Sequence, residues 1–273
     1  MKIPERLILL LALPALLLGT SVWAGEAEDQ ARAVFEEYKQ AVVTVRLVVK
    51  DTSARRERET KAEVVGTVIS PDGLTVLSLS STDPNSLFLR LLGGSAGPGP
   101  GQDTDTQVSD VEFLLHDGTE ADGQIVLRDN DLDLAFARPI KKPDKPMVHV
   151  ELDAAAVPRI LDEVVVLTRL GKIANRAPAV GFSRIESVIE KPRTFYVPKK
   201  EVTDPNLGAP ALTLEGEIIG VFVARVGMLT GGMSGSFSMI MDGLQNMMPI
   251  LLPAADILES AQQAPPFEEE AEK

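Results

Sequence analysis

From Ala41 to Ser80 the chain alternates short β-branched runs with turn-forming residues, and this rhythm constrains the fold more than any other feature. "AVVTVRLVVKD" (41–51), "AEVVGTVIS" (62–70) and "LTVLSLS" (74–80) have the Val-, Ile- and Thr-rich, period-two character of strands. Between the last two, "SPDG" (70–73) supplies a turn in which proline and glycine set the dihedrals that other residues resist. The pattern continues in "SDVEFLLHDGTEADGQIVLRD" (109–129), a hairpin around "HDGT", and in "DLAFARP" (133–139). Further strands are expected near 163–169, 178–189, 194–198, 209–214, 217–224 and 236–241. Helical spacing marks the two ends. In "EAEDQARAVFEEYKQ" (26–40), Ala31, Val34, Phe35 and Tyr38 recur on one face behind an acidic first turn, and "PAADILESAQQA" (253–264) closes the pattern. An all-β protein of two barrels or sandwiches, with a helix at each end, is the expectation.

Residues 1–24 read as a secretory signal peptide. Lys2 and Arg6 form a positive start, "LILLLALPALLLG" (7–19) is apolar, and Val22 and Ala24 are small at the positions signal peptidase requires before Gly25. The apolar run is short for a membrane span. Cleavage after Ala24 and a periplasmic or secreted location are therefore expected, with membrane attachment only if the segment stays uncleaved. The chain has no cysteine, which excludes disulfides, thiol chemistry and a lipid-modified N-terminus of the lipoprotein kind. Its stability must come from its core, and the chain left after cleavage, about 249 residues, suffices to bury one.

Two stretches punctuate the rest. "GGSAGPGPGQDTDTQ" (93–107) is Gly, Pro and polar residues throughout, so a flexible surface loop is expected. "KKPDKP" (141–146) is a charged, proline-bearing connector between two halves. The expected division is a signal peptide (1–24), an N-terminal helix (25–40), a first β unit (41–140), a connector (141–161), a second β unit with the C-terminal helix (162–264) and an acidic tail (265–273). The net charge of −13 argues against a nucleic-acid partner, whose phosphates require clustered Lys and Arg. The basic run "ARRER" (54–58) is interleaved with acids and reads as a solvated hairpin tip. A protein or peptide partner remains, and self-association is open.

Several segments in order carry a resemblance. They are "AVVTVRL"; "GTVISPDGLTVLSLSS"; "VEFLLHDGTEADGQIVLRDNDLDLAFARP"; "LGAPALTLEGEIIGVFVA"; and "GGMSGSFSMIM" with "LLPAADI". Together they resemble the trypsin-like, chymotrypsin-fold serine protease family, in particular its HtrA/Deg branch. The resemblance spans roughly residues 40–262, with no PDZ-like module expected after the closing helix. It implies two six-stranded antiparallel β-barrels with a cleft between them.

That family's mechanism needs a serine nucleophile, a histidine base, an aspartate orienting the histidine, and backbone N–H groups for the oxyanion. Carried onto this sequence by the resemblance, the histidine's place falls on Ser80, which is no base near neutral pH. The serine's place in "PNLGAP" (205–210) falls on Leu207, which has no nucleophilic atom. The first glycine of that motif, which lends an oxyanion N–H, is Pro205, which has none. Only the aspartate is retained, as Asp133 in "DLDLAF", with hydrogen bonding to backbone amides near the barrel interface as its expected role. Gly208 and Pro210 stand where the family's loop has its glycine and proline. No histidine occurs between residues 1 and 115, whatever the alignment.

The two histidines, His116 at the "HDGT" turn and His149 in "MVHVEL", read as a solvated turn residue and a strand- or loop-edge residue. "GMSGS" (232–236) lacks the glycine that a nucleophile elbow needs where Ser236 stands. Lys199 and Lys200 could serve a Ser–Lys dyad but read as solvated loop charges. "DNDLD" (129–133) spaces its carboxylates like a calcium loop without that loop's glycine turn or distal glutamate. No metal or cofactor is expected. The favoured expectation is a secreted, proteolytically inactive homologue that binds protein or peptide. The alternatives are a hydrolase with a relocated site and a structural or assembly subunit partnering an active protease.

Overall fold

The computed structural model describes residues 25–51, 58–82, 106–199, 207–226 and 247–267. The signal peptide, the basic run up to residue 57, the 93–107 loop before its last two residues, Lys200, Pro205, the 232–236 stretch, the strand expected at 236–241 and the tail beyond residue 267 lie outside the described residues.

The chain begins with helix α1 (Glu26–Tyr38) and then builds two closed antiparallel barrels of six strands each. The first comprises β1 (Val42–Asp51), β2 (Arg58–Val68), β3 (Thr75–Ser78), β4 (Thr106–Leu114), β5 (Glu120–Asp129) and β6 (Leu134–Pro139), arranged β1-β2-β3-β6-β5-β4. A short helical turn, α2 (Leu79–Thr82), follows β3. The second comprises β7 (Glu163–Arg169), β8 (Pro178–Ile189), β9 (Phe195–Pro198), β10 (Pro210–Leu212), β11 (Ile218–Val226) and β12 (Met247–Pro253), arranged β10-β11-β12-β9-β8-β7. A 3₁₀ turn at Lys172–Ala174 interrupts the β7–β8 connection, and helix α3 (Ala254–Ala261) ends the fold. Among the described residues, no helix is long and apolar enough to cross a membrane.

Period-two alternation explains why two barrels hold to each other. On β6, Ala135 and Ala137 point into the first barrel, while Leu134 and Phe136 point the other way, into a core shared by both barrels. β7 divides likewise: Val164 and Val166 fill the second barrel, and Val165 and Leu167 join the shared core. Helices α1 (Ala31, Val34) and α3 (Ala254, Ile257) cover that core. Each such aliphatic side chain contributes about 1.5–3 kcal/mol on full burial, so the shared core is the main attraction between the barrels. The end of α1 is pinned as well, because the Arg169 guanidinium donates to the carbonyl oxygens of Lys39 (3.1 Å) and Val42 (2.7 Å).

Most expected elements appear with shifted ends, and three differences have physical causes. "LTVLSLS" does not stay extended to residue 80, because β3 stops at Ser78 and the chain coils into α2. The Leu79 amide donates to Asp133 O, and the Ser81 and Thr82 hydroxyls donate back to the carbonyls of Ser78 and Leu79. The last two residues of the expected loop, Thr106 and Gln107, belong to β4 and pair with Asp51 and Lys50. The last described strand is "MMPILLP" (247–253), paired with β11 from Gly220 to Val226. Its two prolines hide a strand from propensity reasoning. Proline at 253 also begins the helix one residue later than expected.

Candidate functional site

Four pieces of chain meet where the barrels touch: the β3–α2 corner, the turn before β6, the middle of β11 and the approach to β10. The turn delivers Asp133 with φ +60°, a left-handed conformation that aspartate tolerates better than most residues. That twist swings its side chain away from solvent, leaving the residue 2% exposed.

Each carboxylate oxygen of Asp133 accepts two hydrogen bonds from donors among the described residues. Oδ1 takes the Ser80 amide (2.9 Å) and the Ser80 hydroxyl. Oδ2 takes the Ser78 hydroxyl (2.5 Å) and the amide of Ala224 on β11 (2.9 Å). The first three donors belong to the first barrel and the fourth to the second. Ser78 and Ser80 are themselves buried. A carboxylate removed from water must have its lone pairs occupied, and here neutral donors occupy them.

The approach to β10 is fixed from both sides. The Gly208 amide donates to Phe222 O (2.8 Å), and the Thr67 hydroxyl of the first barrel donates to Gly208 O (2.7 Å). Gly208 has φ +86°, and a β-carbon there would stand 2.0 Å from the Val65 carbonyl oxygen. Only glycine allows the two backbones so close. Leu207 precedes it and is half-buried. Phe222, which binds Gly208, lies two residues before Ala224, which binds Asp133; in a strand that is about 7 Å. Ser80 and Asp133 are thus in direct contact, and Leu207 adjoins a residue one strand repeat away along β11.

The remaining candidates are dispersed. His116 lies in the exposed turn between β4 and β5. His149 belongs to the inter-barrel connector, with Nδ1 2.9 Å from Met147 O and Nε2 3.0 Å from Glu151 Oε1. Lys199 is exposed beyond β9. "DNDLD" forms a turn in which Asp129 accepts the amides of Asp131 and Leu132 and the hydroxyl of Ser260 on α3, each at 3.0 Å. Among the described residues, no group of three or more His, Asp or Glu side chains could hold a metal ion.

Sequence reasoning missed three members of the junction. Ser78 was legible only as part of an alternating "LSLS", and Thr67 as a strand residue. The amide of Ala224 has no side-chain signal at all.

Two closed six-stranded antiparallel barrels fit a chymotrypsin-like fold. Neither protein-family models nor curated proteins provide a match to this chain.

Proposed function

We propose that this chain is a secreted, HtrA-like homologue of trypsin-like serine proteases that has no proteolytic activity and binds protein or peptide. The observation that supports the reading is the occupancy of the Asp133 carboxylate. Where the resemblance puts a histidine base, Ser80 turns both its amide and its hydroxyl into Asp133, in a cluster closed to solvent. A serine hydroxyl takes no proton from a nucleophile near neutral pH, and a carboxylate holding four donors has no oxygen left to orient an imidazole. Leu207 offers no nucleophilic atom at the approach to β10. On this reading an extended peptide adds as a strand beside the junction of the barrels.

Purified protein incubated with unfolded casein is expected to release no peptides, and a fluorophosphonate probe is expected to label no residue. Casein cleavage that persists through purification to homogeneity, together with a single probe-labelled serine, would overturn the reading in favour of a relocated hydrolytic site.

A further inference from the structure

Between β2 and the β7–β8 turn lies a recess of about 390 Å³ lined by Arg46, Lys61, Glu63 and Lys172. Its sign opposes that of the chain: three cations and one carboxylate line it, while the whole sequence carries −13. Two of these charges are already engaged. Arg46 lies against Glu112 (2.6 Å), Glu120 (3.3 Å) and Glu63 (3.6 Å). Glu63 accepts two hydrogen bonds from the Arg176 guanidinium, at 2.9 and 2.6 Å, and chiefly these hold its carboxyl below the usual glutamate range. Lys61 and Lys172 are exposed and form no ion pair among the described residues. They are the recess's uncommitted charge.

The rim is a rigid loop with an apolar tip. Ile173 is fully exposed and Leu170 is 44% exposed. Asn175 and Arg176 both take left-handed φ values, 52° and 55°. That conformation is costly for arginine and persists only where its surroundings impose it. Here Glu63 grips the Arg176 side chain, and Arg169 donates to its carbonyl at 3.3 Å. A loop held in this way presents Ile173 beside Lys172 with part of its ordering already in place.

We propose that this recess and its rim are the docking surface for an acidic segment of a partner protein that also carries an apolar side chain. Carboxylates of the segment meet Lys61 and Lys172, and the apolar residue packs on Ile173 and Leu170. A small anion would leave the isoleucine unused, and a nucleic acid needs a larger cluster of Lys and Arg than this recess offers. The proposal rests on the peptide-binding reading and gives it a partner chemistry. Glu63 stands two residues before Val65, whose carbonyl lies against Gly208 at the junction of the barrels.

The test is fluorescence anisotropy with a labelled synthetic peptide of alternating glutamates and leucines, and a control peptide with lysine in place of every glutamate. The whole protein is expected to bind the acidic peptide saturably and the basic one not at all. Lys61→Glu/Lys172→Glu is expected to weaken binding roughly tenfold or more, since reversing the uncommitted charges places like charges together. Ile173→Ser is expected to weaken it several-fold, as the loss of one apolar contact does. All three positions are exposed, and circular dichroism checks that the variants stay folded. Failure to bind the acidic peptide, equal binding of the basic peptide, or undiminished binding by the double variant would each overturn the site. Undiminished binding by the double variant leaves the peptide-binding reading standing, whereas casein cleavage bears on that reading alone.

Discussion

Asp133 and Glu63 are both carboxylates of the first barrel that reach into the second, but they do so in different surroundings. Asp133 is out of water and bound by neutral donors, the last being an amide of β11. The Glu63 side chain is 26% exposed and bound by a guanidinium on a surface loop. Formal charge would rank the second link as the stronger. Solvent reverses the ranking, because water screens the exposed pair and offers each partner an alternative, whereas nothing replaces a lost partner inside the junction. Asp133 therefore fixes how the barrels meet, and Glu63 fixes the orientation of one loop.

The largest effect is expected from Asp133→Ala, which strands two hydroxyls and two amides in a dry site. We expect a loss of about 3–5 kcal/mol, the range for deleting one partner of a buried polar network. By urea denaturation, a loss below about 1 kcal/mol would show that water enters the junction and would break the comparison. Asp133→Asn, which keeps the turn but loses acceptor capacity, is expected to fall between the variant and the parent. Gly208→Ala comes next, at about 2–4 kcal/mol, because it combines a left-handed alanine with a β-carbon forced against the Val65 carbonyl. Ser80→Ala removes one of the four donors while its amide stays in place, for about 1 kcal/mol. A value near that of Asp133→Ala would mean that the hydroxyl, and not the amides, carries the junction.

These positions also show what the sequence could reveal. The barrels were legible because period-two alternation has a direct physical cause, and "LAFA" even displays the double-sided burial of β6. β12 was not legible, because Pro249 and Pro253 suppress strand propensity in a segment that pairing with β11 holds extended regardless. The β3–α2 corner failed for another reason. "LSLSS" has a strand's local preference, and the hydrogen bonds that coil it come from Asp133, more than fifty residues away. The resemblance named Asp133 and Ser80, while the Ala224 amide that joins them is invisible to any reading of side chains. The Lys61–Lys172 recess was equally hidden, since its members lie on separate barrels and only the fold places them together.

The smallest effect is expected at Glu63, and its dependence on conditions is what sharpens the comparison. Glu63→Gln should cost about 0.2–1 kcal/mol at low salt and neutral pH, as exposed ion pairs do. Hydrogen bonding to Arg176, opposed by burial and aided by the charges of Arg176 and Arg46, holds the folded-state carboxyl below its unfolded value. A lowered folded-state value means that the bridge contributes fully above the unfolded pKa of about 4.3 and is lost as pH falls through the lowered one. The difference between parent and variant should therefore be present at pH 7, shrink below about pH 4 and vanish in strong acid. Raising salt from about 0.1 to 1 M, which shortens the screening length from about 10 to 3 Å, should also reduce it. The loss in Asp133→Ala should hardly respond to the same salt change, because its four donors among the described residues are neutral and its side chain is buried. Equal salt sensitivity of the two variants would mean that the junction is wet, and that the barrels meet through charge as much as through packing.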